Sequence, residues 1–110
     1  MKVAVVGSRG LEAEIGKYLP EGTSVLISGG ARGIDRAAEA YADAHGLAKQ
    51  IFLPNYERYG KRAPLIRNQQ IVQAADLVVA IWDGTSRGTK YTIEYAKKMG
   101  RPVQVYLLSK

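Results

Sequence analysis

The sequence predicts a three-layer α/β fold in which a parallel five-stranded sheet is covered by helices on both faces. The first observation is that short, valine-rich apolar runs alternate with segments whose apolar residues recur at helical spacing. The second is that the runs are continuously apolar, as is typical of strands buried on both faces of a parallel sheet. No linker, repeat or low-complexity segment interrupts the alternation, so residues 1–110 are expected to form a single domain.

Five apolar runs provide the predicted strands. The first of them, KVAVVG, is rich in valine and ends at a glycine. The others are bounded by glycine, proline or polar residues that favour turns. The predicted strands are Lys2–Gly7, Ser24–Ser28, Lys49–Pro54, Asp76–Trp82 and Pro102–Leu108.

Four helices are predicted from apolar residues that share one helical face. In the first segment, apolar residues stand at positions 11, 15 and 19, and Pro20 ends the pattern. The second segment carries a longer apolar stripe and ends before Gly46. The third segment has a proline at its first position, which favours helix initiation. The predicted helices are Leu11–Leu19, Ile34–His45, Pro64–Ala75 and Gly88–Gly100.

Composition narrows the function classes. The absence of cysteine excludes disulfides and cysteine-ligated metals, and the single histidine, His45, argues against a histidine-based metal site or a serine–histidine triad. Asp76 and Asp83 flank the fourth strand roughly 20 Å apart, so one metal cannot use both. We therefore expect no bound metal and no cofactor. The short apolar start predicts a cytoplasmic protein without a membrane segment, and the net charge of +6 favours anionic partners.

Parallel α/β sheets bind ligands beyond the carboxyl ends of their strands, where the strand order reverses. The loops at that edge are Gly7–Gly10, Ser28–Gly33, Pro54–Ala63 and Asp83–Thr89. Nine of the 16 lysines and arginines lie in these loops or in the helical turn that follows: Arg9, Arg32, Arg36, Arg58, Lys61, Arg62, Arg67, Arg87 and Lys90. This distribution predicts an anion site formed by glycine-rich turns, arginines and helix N-termini. The long loop Pro54–Ala63 is either a binding segment whose tyrosines stack on a base or a mobile surface loop.

The stretch ISGGARGIDR refines the kind of ligand. Ser28, Gly30 and Gly33 have the spacing of G-x-G-x-x-G, with serine in the first position. Gly30 is predicted to let the backbone approach a ligand, and Gly33 to let a helix pack closely. No acidic residue after the third strand is placed to hold a ribose as in dinucleotide sites, so a mononucleotide or a phosphate group is expected. Asp35 is predicted to cap the following helix or, alternatively, to contact a ribose hydroxyl.

With these loops and the stretches SGGARGIDRAAEAYA and IRNQQIVQAADLVVAIWDGTSRGTKYTIEYA, the chain resembles the SLOG superfamily of Rossmann-like nucleotide-binding proteins. That superfamily includes the LONELY GUY phosphoribohydrolases, the DNA-processing Smf/DprA proteins and molybdenum cofactor carrier-type proteins. The resemblance implies binding of a nucleotide or nucleotide derivative at the named loops. In the phosphoribohydrolases, an arginine works with the glutamate of a P-G-G-x-G-T-x-x-E motif. By position these residues correspond to Arg67 and Glu94, although WDGTSRGT departs from the motif and Glu94 follows Thr89 by five residues instead of three.

Three functions remain open from the sequence. The first is a binding domain that senses or carries a nucleotide-derived ligand, and the second is an N-glycosidic hydrolase that uses Arg67 and Glu94. The third is single-stranded DNA binding, and homo-oligomers are compatible with each. The residues predicted to bind the nucleotide are Gly7, Ser8, Arg9, Ser28, Gly29, Gly30, Arg32, Gly33, Asn68, Gly84, Thr85, Ser86, Gly88 and Thr89.

Overall fold

The computed structural model describes residues 1–109 and contains a five-stranded sheet in which every pair of neighbouring strands is parallel. Lys110, the last residue of the predicted domain, lies outside the described residues. The strand order is β3-β2-β1-β4-β5. The strands are β1 Lys2–Gly7, β2 Val25–Ser28, β3 Ala48–Ile51, β4 Leu77–Trp82 and β5 Val103–Leu107. The predicted three-layer α/β fold class is confirmed.

Helical segments connect the strands. The α-helices are α1 Ile34–Ala44, α2 Tyr56–Tyr59, α3 Ala63–Ala74 and α4 Arg87–Lys98. Short 3₁₀ turns cover Ile15–Tyr18 and Gly60–Arg62. Within residues 1–109, no helix has the length and apolar character needed to cross a membrane.

The two faces of the sheet bury separate apolar clusters because neighbouring residues of a strand point to opposite faces. Val3 and Val5 of β1 join Ile34 and Ala38 of α1 in one cluster. Ala4 of β1, with Val6, joins side chains of α3 and α4 in the other cluster. Helices therefore cover both faces, and α1 lies on the face opposite α3 and α4.

The strand order reverses between β1 and β4. The chain proceeds from β1 outward to β2 and β3, returns through α3, and places β4 on the other side of β1. Loops after β1 and β4 therefore leave the sheet side by side and run to different faces, which opens a crevice at the carboxyl ends of the strands.

The predicted helix at Leu11–Leu19 is wrong. Only Ile15–Tyr18 forms a 3₁₀ turn, while Leu11 and Ile15 are still buried in the core. A methyl group at Gly16 would lie 2.8 Å from the ring of Tyr41, so this segment is fitted around α1. A segment of nine residues that contains a glycine and is followed directly by Pro20 has little helix propensity of its own. Here the apolar spacing predicted burial correctly and helix incorrectly.

Other boundaries also differ from the predictions. The third strand ends at Ile51 instead of Pro54, although the Phe52 amide still donates to the Ser28 carbonyl oxygen at 2.9 Å and the Phe52 side chain packs against the α3–α4 side. Pro64 is the second residue of α3, which begins at Ala63. The long loop Pro54–Ala63 contains α2, whose first turn is capped by the side chain of Asn55.

A pair of matching hydrogen bonds joins α3 to α4. Gln69 Nε2 donates to the Tyr91 hydroxyl at 2.8 Å, and Gln73 Nε2 donates to the Tyr95 hydroxyl at 2.9 Å. Gln69 and Gln73 are four residues apart on α3, and Tyr91 and Tyr95 are four residues apart on α4, so the two bonds lie one helical turn apart. We call these four residues the Gln–Tyr ladder. It gives Tyr91 and Tyr95 a structural role.

Two glycines allow the start of α1 to approach β1 and the loop after it. A Cβ atom on Gly7 would lie 2.6 Å from Ile34 Cβ and 2.5 Å from the Ile81 carbonyl oxygen. Gly33, at the start of α1, has a φ of 77°, and a Cβ there would overlap the backbone of Arg9. Gly33 thus performs the close-packing role expected from the sequence, and both positions exclude any side chain.

The crowding at Gly33 leads to a stability prediction. Gly33→Ala should lower the free energy of unfolding by about 3 kcal/mol or more, since it combines an unfavourable φ with backbone overlap. Gly46→Ala is the matched control, because Gly46 has a φ of 67° but open space around its Cα. We expect a loss of only about 1 kcal/mol there. Chemical denaturation measures both values, and equal losses would contradict the role assigned to the Arg9 contact.

Candidate functional site

A cleft of about 590 Å³ opens at the carboxyl ends of the strands, at the crevice between β1 and β4. This volume lies within the range of about 300–1,000 Å³ that is common for small-molecule sites. Its walls come from the β1 loop, the turn before α1, one side of α3, and the start of α4. The lining residues are Val6, Gly7, Arg9, Gly10, Ala31, Arg32, Asp35, Pro64, Arg67, Asn68, Ile71, Asp83, Ser86, Gly88, Thr89 and Thr92.

Arg67 is the buried cation of the cleft, with 8% of its surface exposed. Its Nη1 donates to the Gly29 carbonyl oxygen, and its Nε donates to Asn68 Oδ1 at 2.9 Å. Burial lowers the pKa of the guanidinium, while the nearby Asp35 carboxylate opposes that shift. An arginine remains charged even so. The helix α3 therefore delivers a fixed positive charge to the cleft and to the turn that follows β2.

Asp35 is the buried acid of the cleft, with 7% of its surface exposed. The predicted capping role is wrong, because Gly33 occupies the N-cap position and the Asp35 side chain reaches back to accept from the Ala31 amide at 3.3 Å. Burial raises the pKa of Asp35 to about 6, against the opposing effects of the Ala31 amide and the charge of Arg67. Such a raised pKa is typical of groups at functional sites.

Asp83 organises the loop that leads into α4. Its Oδ1 accepts from the amides of Thr85 at 2.9 Å and Ser86 at 2.8 Å. The Asp83 amide in turn donates to the hydroxyl of Ser8, which is fully buried beneath the loop. The backbone hydrogen bonds from Thr85 and Ser86 hold the pKa of Asp83 well below its usual range. Because the amides of Thr85 and Ser86 donate to Asp83, these hydrogen bonds stabilise the loop itself.

The sequence-predicted residues fall into three groups. Those that line the cleft are Gly7, Arg9, Arg32, Arg67, Asn68, Ser86, Gly88 and Thr89. Those that support its walls from behind are Ser8, Ser28, Gly29 and Gly33. Those that lie outside the lining are Gly30, Gly84, Thr85 and Glu94.

Gly30 has a different neighbour from the expected ligand. A Cβ at this position would lie 2.6 Å from Leu53 Cδ2 and 3.2 Å from Ile51 Cγ2. Its positive φ of 73° serves the turn after β2, and its open face is covered by the chain that leaves β3. Ser28 behind it accepts from the Gly30 amide and donates to Glu39 Oε2 at 2.7 Å.

Of the nine cations expected at this edge, Arg9, Arg32 and Arg67 line the cleft. Arg9 and Arg32 are exposed at its mouth, whereas Arg67 is buried at its base. The charge of Arg9 lies close enough to lower the pKa of Arg67 further. Tyr56 of α2, which is largely exposed, opposes that shift in the pKa of Arg67.

Glu94 does not meet Arg67 in the cleft. Its side chain is 65% exposed and its Oε1 lies 3.9 Å from Lys90 Nζ, at helical i, i+4 spacing. Thr92, which is three residues after Thr89, lines the cleft instead and is buried. Two residues along an α-helix rotate a side chain by roughly 200°, so Glu94 points to the far side of α4.

Sequence reasoning missed parts of the lining. Thr92 and Ile71 carried no signal beyond helical periodicity, although a threonine three residues after Thr89 shares its helical face. Asp83 was considered only as one half of a metal pair. Asp35 was singled out from the sequence, as a helix cap or as a contact for a ribose hydroxyl.

The raised pKa of Asp35 leads to a prediction about stability and pH. Because the native state holds this proton more tightly, the native protein binds more protons than the unfolded chain between pH of about 4 and 6. The free energy of unfolding contributed by Asp35 therefore falls as the pH rises through this window. Asp35→Asn removes this titration. The variant should therefore gain stability over the wild type as the pH rises from 4 to 7.5, and the gain should reach up to about 3 kcal/mol. Denaturant unfolding of both proteins at the two pH values measures this difference.

Asp83→Asn serves as a control with the opposite sign. Because the pKa of Asp83 is lowered, its carboxylate stabilises the native state above its ordinary pKa, and this stabilisation is lost as the pH falls. The variant should be less stable than the wild type at neutral pH and equal to it in strong acid. If both variants shifted stability in the same direction, the assignment of the two carboxyl environments would be wrong.

Comparison with known proteins agrees with the fold. The family described as YAcAr, the YspA, cpYpsA-related SLOG family, matches residues 1–59, a span that includes β1, the turn after β2 and α1. The chain is also 34% identical over 85 residues to the Gene 61 protein of Mycobacterium phage D29, with 72% of this chain and 68% of that protein covered. No solved structure matches it. Because the family match covers more than half of the chain and the fold agrees, the protein belongs to the YspA, cpYpsA-related SLOG family, a group of nucleotide-related Rossmann-like proteins.

Proposed function

We propose that the protein binds a nucleotide or a nucleotide-derived phosphorylated ligand in this cleft and acts as a sensor or carrier. The observation that supports the proposal best is the convergence of Arg9, Arg32 and Arg67 on one cleft at the reversal of strand order. Arginine binds phosphate oxygens through paired N–H groups, and this geometry adds orientation as well as charge to the attraction.

The start of α4 adds to the attraction for phosphate. Gly88 and Thr89 lie in the first turn of this helix of 12 residues and line the cleft. Amide groups at a helix N-terminus point toward a bound anion, and the helix dipole has its positive end there. Gly88 has open space around its Cα, so a ligand can approach the backbone closely at this position.

Hydrolysis by an arginine–glutamate pair is less well supported. The lining threonine, Thr92, stands at the position where the P-G-G-x-G-T-x-x-E motif has its glutamate. Glu94 is exposed and beside Lys90, outside the cleft. The chemistry of stabilising an oxocarbenium-like transition state needs a carboxylate close to the sugar. A binding role is consistent with the arrangement of these residues, and it requires no catalytic glutamate.

Titration calorimetry with AMP, ADP, ADP-ribose and ribose 5-phosphate tests the proposal. Arg9→Ala should weaken binding of the tightest of these ligands about tenfold or more, because a charge-assisted hydrogen bond to phosphate is lost. Arg36→Ala is the matched control, since Arg36 is an exposed arginine of α1 that does not line the cleft. That variant should bind within about twofold of the wild type.

The proposal fails if none of the four ligands binds or raises the melting temperature. Equal weakening by Arg9→Ala and Arg36→Ala would show that only the overall positive charge attracts these ligands. Arg9 is exposed, so its replacement is expected to leave the melting temperature of the ligand-free protein unchanged.

A further inference from the structure

Asp35 is the feature of the cleft that phosphate binding does not explain. It is a carboxylate, 7% exposed, on the wall of a cleft that also contains Arg9, Arg32 and Arg67. A negative charge at this place repels phosphate and weakens the attraction of the arginines. A cleft intended for phosphate alone would be more effective with a neutral residue here.

Capping of α1 does not explain Asp35 either. Gly33, not Asp35, is the N-cap of α1, and the carboxylate is held mainly by the Ala31 amide. Among residues 1–109, Asp35 and Arg67 form no direct ion pair within 4.0 Å, although each carries charge near the other. Burial raises the pKa of Asp35, which means that the ionised form is costly in the native state. A costly buried acid that faces a cleft is typical of a residue with a ligand to bind.

The chemistry of a carboxylate specifies what that ligand must offer. An ionised carboxylate only accepts hydrogen bonds, so it needs a hydroxyl or an amino donor. The donor must lie close to the phosphate, because Asp35 and Arg67 both surround Gly29: a Cβ there would lie 2.9 Å from Asp35 Oδ2 and 2.8 Å from Arg67 Nη1. In a nucleotide, the group bonded directly to the phosphate is the sugar, and the base lies farther away.

We propose that Asp35 accepts hydrogen bonds from the 2′,3′-hydroxyl pair of a ribose, so that the cleft selects ribose phosphates over deoxyribose phosphates. This inference rests on the proposed function and specifies its ligand class. The two oxygens of one carboxylate can accept from the two hydroxyls of a vicinal pair. Removal of one hydroxyl then leaves one of these buried acceptor sites without a donor. Sites built to bind a hydroxyl reject the analogue without it for this reason.

The test compares AMP with 2′-deoxy-AMP, and ribose 5-phosphate with 2-deoxyribose 5-phosphate, by titration calorimetry. The wild type should bind each ribose form about tenfold more tightly, as expected for a hydrogen bond to a charged group. The sugar phosphates contain no base, so a preference seen in that pair as well excludes a base amino group as the donor. A preference confined to the nucleotide pair would overturn the assignment.

Asp35→Ala should abolish the preference and bring the two affinities within about twofold, without weakening the deoxy form. Asp35→Asn keeps an acceptor of similar shape and should retain only part of the preference, about two- to threefold, which covers the case that Asp35→Ala fails to fold. Glu39→Gln is the matched control: Glu39 is a carboxylate of the same helix that accepts from Ser28 and does not line the cleft. It should keep the full preference.

The outcomes separate the two proposals. Equal binding of ribose and deoxyribose forms by the wild type, with the dependence on Arg9 intact, would overturn the role of Asp35 and leave phosphate binding in place. Full preference in Asp35→Asn and Asp35→Ala would also overturn it. Absence of binding by these four compounds would overturn the role of Asp35, and both proposals would fail only if ADP and ADP-ribose did not bind either.

Discussion

The buried guanidinium of Arg67 is the contact on which the shape of the cleft depends. It extends from α3, on one face of the sheet, to the Gly29 carbonyl in the turn that leads to α1 on the other face. A charge removed from water is tolerated only when hydrogen bonds and opposite charge surround it. Here the carbonyl, the Asn68 side chain and the Asp35 carboxylate meet that requirement. The hydrogen bond to the Gly29 carbonyl joins α3 to this turn.

Close backbone packing supplies the second constraint. Gly7 and Gly33 bring the start of α1 against β1 and the Arg9 backbone, where no side chain fits. Arg9 is therefore carried by a loop whose path is set by the helix beneath it, although its side chain is exposed. Ser8 and Asp83 connect the same loop to the start of α4. The walls of the cleft are thus positioned by backbone contacts together with the buried Arg67 side chain, while the side chains of Arg9 and Arg32 are exposed at its mouth.

The sequence predicted the layered parallel sheet because periodicity and apolar runs report burial, which local composition largely determines. It also placed Arg9, Arg32 and Arg67 at one edge, since loops after parallel strands share that edge. It did not predict the conformation of Leu11–Leu19, where packing against Tyr41 overrides apolar spacing. The sequence also did not predict the direction in which individual side chains point. Asp35 does not cap α1, because Gly33 is the N-cap residue. Glu94 points outward, because it lies two residues beyond Thr92 on α4.

The Gln–Tyr ladder has a mechanical consequence for the cleft. Two hydrogen bonds one turn apart prevent α3 and α4 from sliding or rotating against each other without breaking both. Arg67 lies on α3 and Thr89 on α4, so the ladder holds the two helices that carry these cleft residues in a fixed relation to each other. Arg9 and Arg32 are exposed at the mouth of the cleft, outside the contacts of the ladder. Binding of the proposed ligand would therefore cost side-chain freedom at Arg9 and Arg32 and would require little rearrangement of the fold.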